Sequence, residues 1–180
     1  MTVKKIVFVS HCVLNTASKV EVVISRGLKE EELLRKKFLL KAIEKDIHMI
    51  QLPCPEFNLY GARRWGHAKE QFDNPFYREN CKSMLEPFVL QMKEYVCNSE
   101  RFQVLGIMGI DGSPSCGVNL TYCGQWGGEL SSNPNLSSML QGIHPKKEKG
   151  VFMEVLEELL HKNELDIDMI SLNDFEKLFL

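Results

Sequence analysis

The sequence predicts an α/β fold, a single domain over residues 1–180 with a mainly parallel sheet flanked by helices. Two observations predict it. Short, β-branched apolar runs recur along the chain, and charged or amphipathic stretches of helical period separate them. A third observation bears on function. Three of these runs are each followed closely by a cysteine: Cys12, Cys54 and Cys116. In parallel sheets ligands sit outside the carboxyl ends of the strands, so the three loops are expected to meet at one edge.

The elements follow in order. Ile6 to Val9 reads as a buried first strand, with the loop Ser10-His11-Cys12-Val13-Leu14-Asn15-Thr16 behind it. Val20 to Ile24 reads as either a short strand or part of a loop. Lys29 to Lys45 carries Leu34, Phe38 and Ala42 at four-residue spacing, which predicts a helix. Its acidic start and basic end suit the helix dipole. His48 to Leu52 is the second strand, stopped by Pro53-Cys54-Pro55-Glu56 because proline cannot donate to a ladder. Leu59 to His67 has no clear period and reads as a loop or lid. Pro75 suits the first turn of a long helix, whose apolar stripe includes Tyr77, Cys81, Leu85, Phe88 and Met92. Pro87 is expected to kink or split it.

Phe102 to Ile110 is the third strand, and the loop Gly112-Ser113-Pro114-Ser115-Cys116-Gly117 follows. Its glycines permit positive φ and close approach of a ligand, while Pro114 stiffens it. Thr121 to Pro145 is rich in Gly, Ser and Asn and reads as an excursion over the site. Val151 to Leu160 is an amphipathic helix, Asp168 to Leu172 a fourth strand and Asn173 to Leu180 a short terminal helix.

Composition narrows the function classes. The chain has 180 residues, 44% hydrophobic and 26% charged, ordinary values for one globular domain. A formal net charge of -2 gives no general attraction to nucleic acid or an acidic membrane. No apolar run is long enough to span a bilayer, and the first residues do not read as a signal peptide. A soluble, cytoplasmic protein is expected. With six cysteines and no export signal, metal binding or catalysis is the reading for clustered ones, and burial for the rest.

Thiolates hold iron–sulfur clusters, zinc or copper(I). A closed structural site takes four protein ligands, often with pairs such as C-x-x-C. Here the ligands come singly from three loops, which suggests a site built by the fold. Three thiolates on a four-iron cluster leave one iron without a protein ligand, and an open metal position marks a catalytic site. Three buried or free cysteines are the alternative.

Ser10-x-Cys12, Pro53-Cys54-Pro55-Glu56 and Ser113-Pro114-Ser115-Cys116-Gly117 resemble, in order and separation, the 2-thiouracil desulfidase family, long catalogued as a domain of unknown function. The resemblance spans roughly residues 4 to 120, and Ser-Pro-Ser-Cys-Gly is its most specific part. It implies a four-iron four-sulfur cluster on Cys12, Cys54 and Cys116, and removal of sulfur from a thiolated nucleobase without a redox cofactor. The partner so implied is a small thiolated molecule, with neither nucleic acid nor membrane. The chain departs from the family after the first cysteine. Many members continue with Leu, Gly and an Arg-Tyr-Asp-Gly-like segment, where this chain has Val13 to Val20. That makes it a divergent subgroup and leaves the thione or thioamide substrate open.

Within that chemistry Glu56, two residues past Cys54, is the candidate general base, with a structural carboxylate as the alternative. Ser113 is a candidate catalytic hydroxyl, and Ser115 a candidate substrate or cluster contact. Free N–H groups of their loop can serve likewise, and plain turn formation is the competing account. Asn15 and Asn119 can read a heterocycle's polar edge or cap turns, and Trp65 can stack on a base or pack its loop. Arg63 and Arg64 read as a solvated lid, with binding of an anionic group as the alternative, and His11 as a surface or loop-bonded side chain, with proton donation as the alternative. Cys81 belongs to a core stripe, and Cys97 ends a helix. Cys123 is a possible fourth ligand, which would close the site. A non-catalytic metal-binding or redox module, or a persulfide sulfur carrier, is therefore the second reading.

Overall fold

The computed structural model describes residues 2–21, 28–66 and 68–179. A four-stranded sheet in the order β2-β1-β3-β6 forms its centre, and every pairing in it is parallel. The strands are β1 (Lys4–Val9), β2 (Ile47–Gln51), β3 (Phe102–Gly109) and β6 (Met169–Ser171). Parallel neighbours need long crossovers. These run through α2 (Leu28–Glu44) between β1 and β2, α5 (Pro75–Cys97) before β3 and α7 (Val151–Lys162) before β6.

Side-chain alternation divides the core into two layers. Ile6 and Phe8 of β1 pack with Leu85 and Met92 of α5 and with Phe152 and Leu156 of α7. Val7 and Val9 point the other way, onto Phe38 and Ala42 of α2 and Phe175 of the closing 3-10 segment Leu172–Phe179. Burying a side chain such as Phe8 or Phe38 contributes about 2–3 kcal/mol. Both layers thus hold β1 at the centre, and the strand ends that carry the cysteine loops inherit that rigidity.

The helical reading of Lys29 to Lys45 and the four main strands stand, with boundaries shifted by a residue or two. The described part of Val20 to Ile24 has no regular structure, and Val22 to Ile24 lie outside the described residues. Four points differ from expectation. The stretch after β1 is the short helix α1 (His11–Leu14) followed by a 3-10 turn at Thr16–Ser18. The Leu59–His67 stretch begins inside α3 (Pro55–Tyr60), and α4 (Lys69–Phe72) follows; His67 lies outside the described residues. Pro87 does not split α5, which runs unbroken from Pro75 to Cys97. Ser83, whose carbonyl loses its partner to the proline ring, is exposed, so solvent can satisfy it. The Thr121–Pro145 excursion is also more ordered than its composition suggests. It pairs β4 (Thr121–Cys123) with β5 (His144–Lys146) as an antiparallel ribbon and carries α6 (Leu136–Gln141).

Candidate functional site

β1, β2 and β3 are adjacent and parallel, so the segments leaving Val9, Gln51 and Gly109 emerge at the same edge. Each delivers one of the three cysteines. Cys12 lies in α1, directly behind β1. Cys54 caps α3, its Sγ accepting the Phe57 N–H at 3.4 Å. Cys116 lies in the loop behind β3, and its carbonyl accepts the Ile110 N–H at 3.0 Å.

The thiols act on one another. A hydrogen bond with Cys54 holds the Cys12 thiol down to about 7; burial opposes this, and Ser18 and Lys19 reinforce it. The same contact with Cys12 pushes Cys54 up, and burial adds to the shift. Burial pushes Cys116 up, and negative charge at Cys12 and Glu56 adds to it. Metal-free, the trio therefore carries its thiolate preferentially on Cys12.

The loop of Cys116 is self-contained. Ser113 Oγ accepts the N–H groups of Ser115 (3.3 Å) and Cys116 (3.0 Å), and Asp111 Oδ1 accepts those of Val118 and Asn119. Gly112, at φ 86, makes the turn that lets its N–H reach the Leu120 carbonyl. The amides of Ser113 and Gly117 are also paired inside the loop. The expected free N–H groups are therefore already used, and Ser113 keeps only its hydroxyl proton for other work. A Cβ at Gly150 would stand 2.4 Å from the Ser115 carbonyl carbon, so α7 meets the loop backbone to backbone. There Val151 and Phe152 donate to the carbonyls of Pro114 and Ser115.

Ser115 is fully buried, and its hydroxyl donates to Glu56 Oε1 at 2.7 Å. With that proton committed, the Tyr77 hydroxyl at 2.8 Å must be the donor to Ser115. Glu56 Oε2 accepts from Arg64 Nε at 3.1 Å. Glu56 is thus a buried carboxylate held by a hydroxyl and a guanidinium rather than by loop amides. Burial pushes the Tyr77 phenol up, so it stays a proton donor.

The remaining sequence candidates lie apart from this chain, except Cys81, whose thiol is hydrogen-bonded with Tyr77. Asn15 accepts the Ala17 N–H and contacts His11 Nε2, both turn contacts at an exposed position. Asn119 braces Asp111. Trp65 is 73% exposed, and its carbonyl accepts from Gln71. Cys81 is buried, Cys97 is exposed, and Cys123 donates to Glu148 at 3.0 Å. One surface hollow of about 280 Å³, lined by Asn119, Lys149 and His161, and another of about 560 Å³ beside α6 include none of the three cysteines.

The donor chemistry fits an iron–sulfur cluster: three thiols delivered from neighbouring strand ends, with Cys123 engaged elsewhere by Glu148. A further mark is Ser10. It is 1% exposed, and its side chain lies against Cys116, where a hydrogen bond from it favours the thiolate. A buried hydroxyl beside a thiol is suited to a sulfur acceptor. Among the described residues no three Cys, His, Asp or Glu groups stand in the arrangement that holds a single metal ion. Cluster ligands differ, because they stand around a larger body rather than one point.

No family model matches the chain, and no solved structure matches it. Over 115 residues it is 35% identical to Uncharacterized protein MJ0003 of Methanocaldococcus jannaschii, a match covering 64% of this chain and 69% of that protein. The chain belongs to the family of MJ0003. That relative's name states no activity, substrate or partner, so the chemistry of this MJ0003-family chain is read from its own residues.

Two residues of the site escape a reading by residue type. Arg64, expected in a solvated lid, has a side chain only 3% exposed. Its Nη1 donates to the Gly61 carbonyl at 3.0 Å and its Nη2 to the Ser18 carbonyl at 2.7 Å. Tyr77 sits on the core stripe of α5, where its ring packs on Phe72 and hides the role of its hydroxyl. The available signal for Arg64 was Glu56: a buried carboxylate requires a partner, and Arg64 stands just past the turn at Gly61.

Proposed function

We propose that this protein is an iron–sulfur-dependent desulfidase acting on a small thione such as a thiolated nucleobase. The observation that carries the reading is the convergence of three single thiols at one sheet edge beside the buried Ser115–Glu56 pair. Cys12, Cys54 and Cys116 would hold a four-iron four-sulfur cluster. When bound, such a cluster supplies an iron that lacks a protein ligand, a Lewis acid for a thione sulfur.

The reaction is redox-neutral: thione and water become the oxygen analogue and hydrogen sulfide, with no change in the carbon's oxidation state. What the chain must supply is a place for the proton of the attacking water. Each Glu56 oxygen accepts one hydrogen bond in the structure and has capacity for another. Glu56 can therefore take that proton while Arg64 and Ser115 keep the carboxylate oriented. The committed protons of Ser115 and Tyr77 leave Glu56 the acceptor of the chain. Ser113, with its hydroxyl proton uncommitted, is the donor available to developing charge at sulfur or oxygen. The engagement of Cys123 with Glu148 supports a three-cysteine site over a closed four-ligand one.

The test is reconstitution without oxygen, iron and sulfide analysis, and sulfide release from a panel of thiolated bases. About four irons per chain are expected from the cluster type. Glu56→Gln is expected to retain iron and slow turnover by roughly a hundredfold or more, the scale of general-base loss. Iron lost together with activity makes Glu56 structural. An intact cluster without sulfide release from any base refutes the substrate assignment, and stoichiometric zinc without iron refutes the cluster.

A further inference from the structure

We propose that Arg64 is a positioning residue that locks the Cys12 loop onto the Cys54 loop and so sets how the two thiols face each other. The proposal deepens the reading above, but its geometry is independent of any bound group.

Arg64 reaches three groups in two segments with one planar fork. Its Nε holds Glu56, two residues past Cys54, and its Nη1 closes the end of α3 at the Gly61 carbonyl. Its Nη2 leaves that segment altogether and binds the Ser18 carbonyl at 2.7 Å. Ser18 is itself 2% exposed, and its Oγ lies 3.4 Å from Cys12 Sγ while donating to the Asn15 carbonyl. A continuous path therefore runs from the base of the Cys54 loop through Arg64 and Ser18 to the Cys12 sulfur. A lysine has no fork and cannot make these bonds together. Other ties hold the start of this segment and its far end: Gln51 Nε2 donates to the His11 carbonyl at 2.9 Å, Arg35 Nη1 to the Val13 carbonyl at 3.2 Å, and Lys19 pairs with Glu31, which leaves Arg64 as the tie from the Ser18 turn to the Cys54 loop. Val13 is buried in the core, and Cys12 and Leu14 pack against the same cluster.

The consequence is specific. Without Arg64 the sheet and its two cores should stand, while residues 15 to 19 move independently of Cys54. Removing Arg64 alone leaves Glu56 buried without its cation, a change large enough to unfold a small domain. The informative comparison is therefore Glu56→Gln against Glu56→Gln with Arg64→Gln, which removes both charges together.

Metal-free protein is read by hydrogen exchange and by alkylation of Cys12, with the exposed Cys97 as internal reference. Relative to Glu56→Gln, the double variant is expected to alkylate Cys12 about tenfold faster or more, the scale of a lost hydrogen bond to a charged group. Exchange should accelerate in residues 15 to 19 and stay unchanged in β1 and β3. Reconstituted double variant should hold less iron, with a weaker cluster absorption, than Glu56→Gln. Equal Cys12 reactivity and exchange in the two proteins overturns the proposal. So does acceleration spread evenly over the sheet, which makes Arg64 a general stabiliser. If wild type and Glu56→Gln take up no iron at all, the cluster reading falls, while exchange and alkylation still decide the role of Arg64.

Discussion

Ser115 Oγ stands 2.7 Å from Glu56 Oε1, joining the loop behind β3 to the helix behind β2 in the protein interior. The bond crosses the sheet edge over β1, because β2 and β3 are separated by that strand. Its removal has a definite cost. Ser115→Ala leaves the Tyr77 hydroxyl and one Glu56 oxygen buried with a partner missing, and should lower stability by about 1–3 kcal/mol. Adding Tyr77→Phe removes one of the stranded groups and should recover part of the loss. Urea unfolding of the single and double variants measures both, and a double variant less stable than Ser115→Ala contradicts the hydrogen-bond assignment.

The cysteines should separate into two classes when iron is supplied without oxygen. Cys116→Ser should lose or degrade the cluster. Cys123→Ser should keep it, since that thiol is committed to Glu148. Iron and acid-labile sulfide per chain are the readout, and loss of iron in Cys123→Ser would make Cys123 a ligand.

Thiol labelling of native protein should distinguish the two cysteines of α5. Cys81 is 0% exposed, and burial pushes its thiol up to about 12, so it is both shielded and protonated near neutral pH. Cys97 is exposed. A disulfide reagent should modify Cys97 within the mixing and reading time and reach Cys81 only on unfolding. Rapid reaction of Cys81 would place it outside the core.

Acid stability should depend on Glu148. Its carboxyl is held at about 2 by the hydrogen bond from Lys146, with Cys123 and Lys69 contributing. Protonation is thus disfavoured in the folded state relative to an ordinary glutamate, which titrates at about 4.5. The stabilisation is present above about 4.5 and is lost as pH falls towards 2. Glu148→Gln should therefore narrow the stability difference between neutral and acid pH. An unchanged pH profile in denaturant titrations would show that the carboxylate is not coupled to folding.

Much of this fold was legible because its elements are long and periodic. The four-residue spacing of Leu34, Phe38 and Ala42 identified α2, and the continuous apolar run Ile6 to Val9 read as the buried strand that the structure places between two layers. The β4–β5 ribbon was not legible, because two three-residue strands separated by Gly, Ser and Asn carry no period. The convergence of the three cysteine loops followed from strand order and a general rule of parallel sheets. The Tyr77–Ser115–Glu56–Arg64 chain did not, because it joins elements by side-chain reach rather than by spacing in sequence. Arg64 shows the difficulty most plainly: an arginine beside an exposed tryptophan looks solvated until a buried carboxylate claims it.

The docking of the Cys116 loop on the start of α7 sets a clock on biosynthesis. Synthesis proceeds from the N-terminus, and a nascent chain that has just released Cys116 contains all three thiols. It lacks Gly150, Val151 and Phe152, whose amides fasten the carbonyls of Gly117, Pro114 and Ser115. The three thiols therefore exist for an interval without the frame that fixes the Cys116 loop, open to oxidation. Alignment of the Cys116 loop is on this account governed by arrival of α7 rather than of the third thiol of the trio.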